Sequence, residues 1–141
     1  MVLTMYLAAE SSSRADPEPL TVLVIDDERA IVDALRDLLE SEGYSVATAS
    51  DGIEALEQLV GGLRPCLIVL DLMMPRMDGW DFRNAQMKFA DLKDIPVVVL
   101  TAAGFSEASV RTQFGDVGFM SKPFAPETLL RVVRQSCDDL N

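Results

Sequence analysis

Apolar residues occur along this chain in two alternating patterns, short continuous runs and stripes at helical spacing. A short apolar run bounded by turn residues is typical of a strand buried on both faces of a parallel sheet. A stripe that recurs every three to four residues indicates a helix with one buried face. The predicted strands are 21–25, 44–49, 66–70, 95–100 and 117–120, and the predicted helices are about 29–41, 52–60, 79–89, 106–114 and 126–137.

Strands and helices therefore alternate five times. This order predicts parallel strands joined by right-handed crossovers, with helices on both faces of the sheet. The fold class is α/β, a doubly wound domain of flavodoxin-like type. The stripe of Ile53, Leu56 and Val60 is predicted to be the buried face of the second helix, and Phe89 is predicted to share a face of the third helix with Phe82.

Composition narrows the function classes. The chain has 141 residues, which suggests one domain, and its net charge of −11 disfavours direct DNA binding and adhesion to an anionic membrane. It has no histidine, which excludes Ser-His catalysis and histidine metal ligation within the chain. Cys66 and Cys137 lack motif spacing and are interpreted as buried or incidental thiols of a reducing compartment, and the chain as cytoplasmic.

The first 19 residues differ in composition from the rest. Residues 2–9 are apolar but lack the basic start of a signal peptide, and residues 10–19 have linker composition. We predict a flexible extension over 1–19 and an ordered domain over 20–141, with no run long enough to cross a membrane.

Chemistry-bearing side chains follow four of the five predicted strands. They are Asp26 and Asp27 after the first, Asp71 after the third, Thr101 after the fourth and Lys122 after the fifth. The carboxyl ends of parallel strands form the edge where α/β sheets bind ligands. Carboxylates gathered there repel each other, and Mg²⁺ would offset that cost because it prefers oxygen ligands. A carboxylate, a cation, an ammonium and a hydroxyl together suit phosphoryl transfer, with Asp71 as a nucleophile that needs no base.

Four motifs extend this interpretation. VLVIDDE, IVLDLMMPRMDGW, VVVLTA and GFMSKPF, in this order and spacing, resemble the receiver domain of bacterial two-component response regulators, the CheY-like family. The resemblance covers about residues 20–137. It implies the strand order 2-1-3-4-5 of a flavodoxin-like sheet.

The resemblance also implies roles for site residues. Asp71 would accept a phosphoryl group from a phosphohistidine on a sensor kinase. Asp27, Asp71 and the backbone carbonyl of Met73 would ligate Mg²⁺ directly, and Asp26 would act mainly through bound water. Lys122 would contact the phosphoryl oxygens, and its bond to Pro123 is similar to one that is often cis in the family.

A switch and a phosphoryl lifetime follow from the same resemblance. Thr101 and Phe119 match the family's switch pair, in which the hydroxyl turns toward the phosphate and the ring moves inward. Phe119 replaces the commoner tyrosine, so no phenol can hydrogen-bond in the inward state. Met73 and Ala103 stand at two positions that tune hydrolysis, and both are apolar here, which predicts only slow autodephosphorylation.

The implied protein is a phosphoacceptor signalling domain and not an enzyme. Its partners would be a sensor histidine kinase or phosphotransfer protein and a downstream target protein, and a homodimer through the fourth and fifth helices is left open. Three alternatives stay open. They are a docking-only pseudo-receiver, a mononucleotide binder whose phosphate the acids after strand 1 would repel, and a haloacid-dehalogenase-like Mg²⁺-dependent phosphatase. The phosphatase needs an acid two residues after its nucleophile, where Asp71 is followed by Met73 and Asp26 by Glu28.

Overall fold

The computed structural model describes residues 20–102 and 104–138. The predicted extension over 1–19 therefore lies outside the described residues, as do Ala103 and residues 139–141. The strands are β1 Thr21–Ile25, β2 Ser45–Ala49, β3 Leu67–Leu70, β4 Val97–Thr101 and β5 Gly118–Ser121. The helices are α1 Arg29–Ser41, α2 Gly52–Val60, α3 Gly79–Gln86, α4 Glu107–Phe114 and α5 Pro126–Cys137.

All five strands are parallel and form one sheet in the order β2-β1-β3-β4-β5. This confirms the predicted α/β fold class and the strand order. Because β1 lies beside β3, and β3 beside β4, the residues that follow these strands leave the sheet at neighbouring points on one edge.

Helices cover both faces of the sheet. One apolar cluster packs α1 and α5 against one face, and a second packs α2, α3 and α4 against the other. The strands alternate between the two clusters, as Val98 and Val99 illustrate. No helix in the described parts of the chain is long and apolar enough to span a bilayer.

The predicted buried face of α2 was wrong. Ala55 and Leu59 face the core, Ile53 and Leu56 are half-buried, and Val60 is 63% exposed. The helix is rotated so that its small alanine allows close approach to the sheet, and the larger apolar side chains lie toward its flank.

The third helix is shorter than predicted. It ends at Gln86, and Phe89 is 43% exposed and lies beyond it. The buried amide of Gln86 donates hydrogen bonds to the carbonyls of Leu92 and Ile95, and so satisfies the backbone of an irregular segment that the sequence pattern extended as helix.

The interpretation of the cysteines as free thiols was also wrong. Cys66 and Cys137 form a disulfide, with their Cα atoms 5.0 Å apart. Cys66 directly precedes β3, and Cys137 is the last residue of α5. Because α5 runs antiparallel to the strands, its end lies at the edge where β3 begins, and this brings together two residues 71 positions apart.

Candidate functional site

The carboxyl edge of the sheet brings together most of the predicted site residues. Asp26 follows β1, Asp71 follows β3, Thr101 ends β4 and Lys122 follows β5. The backbone N–H of Asp71 donates to Ile25 at 2.9 Å, and that of Lys122 donates to Thr101 at 2.8 Å. These bonds continue the sheet ladder past the strands and fix both side chains at its edge.

Three carboxyl groups form an acidic cluster. Asp26, Asp27 and Asp71 each offer one oxygen, and the three oxygens lie within 4.8 Å of one another. Asp26 and Asp71 are buried, whereas Asp27 is exposed. The cluster therefore opens to solvent on the side of Asp27.

Lys122 lies inside this cluster. Its ammonium is 3.0 Å from the carboxylate of Asp26, 3.4 Å from Glu28 and 3.9 Å from Asp71. Burial alone would lower the pKa of Lys122, but the hydrogen bond and charge of Asp26, with the charge of Asp71, raise it on balance. The lysine is thus held in its charged form. Its peptide bond to Pro123 is cis, as the resemblance implied.

The carboxyl group of Asp71 has a raised pKa. Burial and the neighbouring charge of Asp26 raise its pKa to about 6, although Lys122 and the backbone N–H groups of Met73 and Leu72 act in the opposite direction. One ammonium therefore compensates the acids only in part.

The donor set fits a hard divalent cation. The cluster offers carboxylate oxygens only, at a spacing that one ion can bridge, and Mg²⁺ takes one or two such ligands while keeping several waters. Burial and, after it, the charge of Asp26 raise the pKa of Asp71, and a bound cation would offset both.

Thr101 is fully buried, and its hydroxyl oxygen has no hydrogen-bond partner among the described residues. Phe119 is half-buried and belongs to the apolar cluster on the α2–α4 face. Phe119 is in register with Val99, which lies two residues before Thr101 on the same face of β4. The structure therefore has both residues of the predicted switch pair on one face of adjacent strands.

The loop between β3 and α3 contains Met73, which is 62% exposed. Ala103, the second residue proposed to tune hydrolysis, lies outside the described residues. Two contacts near the cluster were not predicted: Glu28 with Lys122, and Arg76 with Asp51. Glu28 could have been found as the third acid of the run after β1. The sequence carried no signal for the other pair, whose members are 25 positions apart.

Comparison with known proteins gives a consistent answer. The family model described as response regulator receiver domain matches residues 22–134. The response regulator MprA of Mycobacterium sp. strain KMS is 43% identical over 117 residues, which are 82% of this chain and 50% of that protein. The chain thus spans about half the length of the curated relatives it matches.

Solved structures agree with this match. The chemotaxis protein CheY4 of Vibrio cholerae superposes with a TM-score of 0.75 at 32% identity, over 84% of this chain and 98% of that one. The signal receiver domain of a signal transduction histidine kinase from Syntrophus aciditrophicus gives a TM-score of 0.76 at 29% identity, over 86% of this chain and 92% of that one.

Proposed function

Because the chain belongs to the response regulator receiver domain family of two-component signalling, we propose that Asp71 is its phosphoacceptor in a phosphorelay. The observation that carries the proposal is the placement of Asp71, buried at the end of β3 within reach of Lys122 and two further acids. Receiver domains are signalling domains and not classical enzymes, so the product of this chemistry is a modified state of the protein itself.

The transfer needs few groups. A carboxylate oxygen of Asp71 forms a bond to phosphorus while the bond between phosphorus and the donor imidazole nitrogen breaks, and the imidazole leaves with the electron pair. Lys122 lies where it can stabilise the charge on the phosphoryl oxygens. No base is needed, because Asp71 reacts in its ionised form.

Asp27, Asp71 and the backbone carbonyl of Met73 would hold Mg²⁺ directly in this proposal, and Asp26 would act mainly through water. The ion would neutralise phosphoryl charge during transfer. The three carboxylate oxygens within 4.8 Å of one another support this assignment. Lys122 would then exchange part of its contact with Asp26 for the phosphoryl group.

The buried hydroxyl of Thr101 supports the switch. A buried hydroxyl without a partner costs free energy, and a phosphoryl oxygen on Asp71 would supply the missing acceptor. Movement of Thr101 would vacate space that the ring of Phe119 can enter. Phosphorylation would in this way bias two packings of β4, β5 and the surface of α4 and α5.

The partners follow from this role. A sensor histidine kinase or phosphotransfer protein would supply the phosphoryl group in the cytoplasm, and a target protein or a second copy of the chain would bind the α4–α5 surface. Direct DNA contact by this chain is not part of the proposal, because its net charge is −11.

The lifetime of the phosphoryl group is a separate part of the proposal. The apolar side chain of Met73 cannot orient an attacking water, so we expect slow autodephosphorylation. Phosphoprotein isolated from donor should lose its phosphate over minutes or longer, and complete loss within seconds would contradict this expectation.

The test is intact mass after incubation with acetyl phosphate and Mg²⁺. We expect one phosphoryl adduct on the wild type and none on Asp71→Asn or in the presence of chelator. A folded, Mg²⁺-binding wild type that takes no adduct from this donor or from a histidine phosphotransfer protein would favour a docking-only pseudo-receiver. Sustained turnover of p-nitrophenyl phosphate would favour a haloacid-dehalogenase-like phosphatase.

A further inference from the structure

The loop that follows Asp71 is fastened to the start of α2. The guanidinium Nε of Arg76 donates to Oδ2 of Asp51 at 2.6 Å. The backbone N–H of Gly52 donates to the carbonyl of Met77 at 3.0 Å. Arg76 and Met77 in the middle of the loop are thus joined to Asp51 and Gly52 at the start of α2, the first pair by an ion pair and the second by a backbone hydrogen bond.

The fit at this junction is close. A Cβ atom added at Gly52 would lie 2.6 Å from Cγ and 3.0 Å from the carbonyl oxygen of Met77, so a larger residue there would force Met77 to shift. Arg76 has a φ of 64°, a left-handed conformation that costs a non-glycine residue free energy. The side chain of this left-handed residue makes the contact with Asp51.

The carboxylate of Asp51 accepts hydrogen bonds from Arg76 and from the backbone of Glu54 at the same time. Its Oδ1 accepts the backbone N–H of Glu54 at 2.9 Å as the N-cap of α2, and its side chain is only 4% exposed. Burial would raise the pKa of Asp51, but the hydrogen bonds from Glu54 and Arg76 lower it on balance. The acid is therefore a buried, charged anchor for an arginine that is itself 58% exposed.

The first residues of the loop lie next to the proposed phosphoacceptor. Leu72 and Met73 directly follow Asp71 in the chain, so their backbone groups lie beside its carboxylate, and their N–H groups lower its pKa. The N–H of Gly79 donates to the carbonyl of Leu72 at 2.9 Å. The loop is thus fixed at both ends by the sheet edge and α3, and at its middle by Asp51.

We propose that Asp51 and Arg76 are positioning residues for the phosphoacceptor site: their ion pair holds the loop so that the backbone of Met73 stays against Asp71, and it thereby sets the affinity for the divalent cation. The inference rests on the proposed function, because the Met73 carbonyl is a cation ligand only within it. Neither residue touches the reacting atoms.

Three variants test the ion pair. Arg76→Ala removes the side chain but keeps a Cβ at the left-handed position. Asp51→Asn removes the charge but keeps an oxygen that caps α2, so the helix start is preserved. Arg76→Lys restores a cation. The matched control is Arg111→Ala, since Arg111 is a similarly exposed arginine paired at 3.0 Å with Glu107 on α4.

The measurements are the Mg²⁺ dissociation constant by calorimetry and the rate of phosphorylation by acetyl phosphate across Mg²⁺ concentrations. We expect the dissociation constant to rise about 10-fold in Arg76→Ala and Asp51→Asn, as for other residues that orient metal ligands. The rate at saturating Mg²⁺ should approach the wild-type rate, Arg76→Lys should recover part of the affinity, and Arg111→Ala should match the wild type.

The outcomes separate this inference from the proposed function. If Arg76→Ala and Asp51→Asn lose thermal stability but bind Mg²⁺ as the wild type does, the ion pair is structural only and the inference is wrong. If the wild type itself neither binds Mg²⁺ nor accepts a phosphoryl group, the proposed function fails and the inference fails with it. The double variant should be no worse than either single variant, because both remove one interaction.

Discussion

Asp71 is held at the edge of the sheet in conflict with its neighbours. It is buried, it faces the charge of Asp26, and Lys122 at 3.9 Å relieves only part of the repulsion. With a pKa of about 6, the Asp71 carboxyl group of the metal-free folded protein keeps its proton up to about pH 6. In the unfolded chain the same group loses its proton near pH 4. Above pH 6 the ionised carboxylate therefore destabilises the fold.

This conflict predicts a pH dependence for Asp71→Asn in chelator. The native wild type binds more protons than the unfolded chain between about pH 4 and 6, so the contribution of Asp71 to stability increases as the pH falls through that window. At pH 7.5 the asparagine variant should be more stable by about 1 to 2 kcal/mol, and this advantage should shrink at pH 4.5. Urea denaturation of both proteins at both pH values measures it, and an equal difference at the two pH values would contradict the assignment.

Thr101 allows a second prediction at this scale. Replacing its unpaired buried hydroxyl by a methyl group in Thr101→Val keeps the shape and removes a desolvated polar atom. We expect the unphosphorylated variant to be as stable as the wild type or more stable by about 1 kcal/mol. It should still accept a phosphoryl group on Asp71 but should lose the phosphorylation-dependent change at Phe119. NMR of the aromatic ring resonances with and without acetyl phosphate checks this, and a full Phe119 response in the variant would remove Thr101 from the switch.

Among the elements, α4 has side-chain support at both of its ends. It has eight residues, too few to be stable alone, and Ser106 caps its start. Its last carbonyl, on Phe114, accepts a hydrogen bond from the buried guanidinium of Arg83 at 3.0 Å. The same guanidinium donates to Gln86 at 2.9 Å. Arg83 therefore joins the end of α4 to α3.

Substitution of Arg83 should loosen this end of α4. Arg83→Lys keeps the charge but replaces two separate guanidinium nitrogens by one on a shorter reach, so we expect the Phe114 carbonyl or the Gln86 amide oxygen to lose its partner. We expect a loss of about 1 to 3 kcal/mol in unfolding free energy and faster hydrogen exchange at the last turn of α4. The control is Arg111→Lys, because Arg111 is an exposed arginine on α4. This substitution should change the free energy of unfolding by less than about 0.5 kcal/mol. Unchanged exchange in Arg83→Lys would show that packing alone holds the helix.

The sequence predicted which elements exist better than how they are oriented. Strand and helix positions follow from local periodicity, so the ten elements of the described residues were found with small errors at their ends. The face that α2 buries depends on how closely the helix approaches the sheet, and for that reason Val60 was assigned to the core wrongly.

The candidate site divides in the same way. Asp26, Asp71, Thr101 and Lys122 could be placed together because topology alone aligns the ends of parallel strands. The contact of Arg76 with Asp51 could not, because it depends on the path of a loop and on a left-handed residue that no periodic pattern signals.

At the scale of the whole molecule, the edge of the sheet at the carboxyl ends of the strands differs from the edge at their amino ends. The carboxyl edge collects the acids and Lys122, whose charges oppose each other. The opposite edge carries the disulfide between Cys66 and Cys137, both buried, which joins a central strand to the last helix. The bridge encloses β3 through α5, more than half of the described chain.

The disulfide predicts that reduction lowers the stability of the fold but does not change the chemistry of the site at Asp71. Closing a loop of about 70 residues restricts the unfolded chain, so reduction should lower the unfolding free energy by about 2 to 4 kcal/mol. Alkylation should modify no thiol before reduction and both cysteines after it, and urea midpoints with and without a dithiol reductant measure the loss. The control Cys66→Ala/Cys137→Ala has no bridge, so its midpoint should not respond to the reductant.

Since β3 separates Cys66 from Asp71 by about 16 Å, at about 3.3 Å per residue, reduction should leave Mg²⁺ affinity and phosphorylation at Asp71 unchanged. Equal wild-type midpoints in both conditions would mean that the bridge does not restrain the unfolded chain.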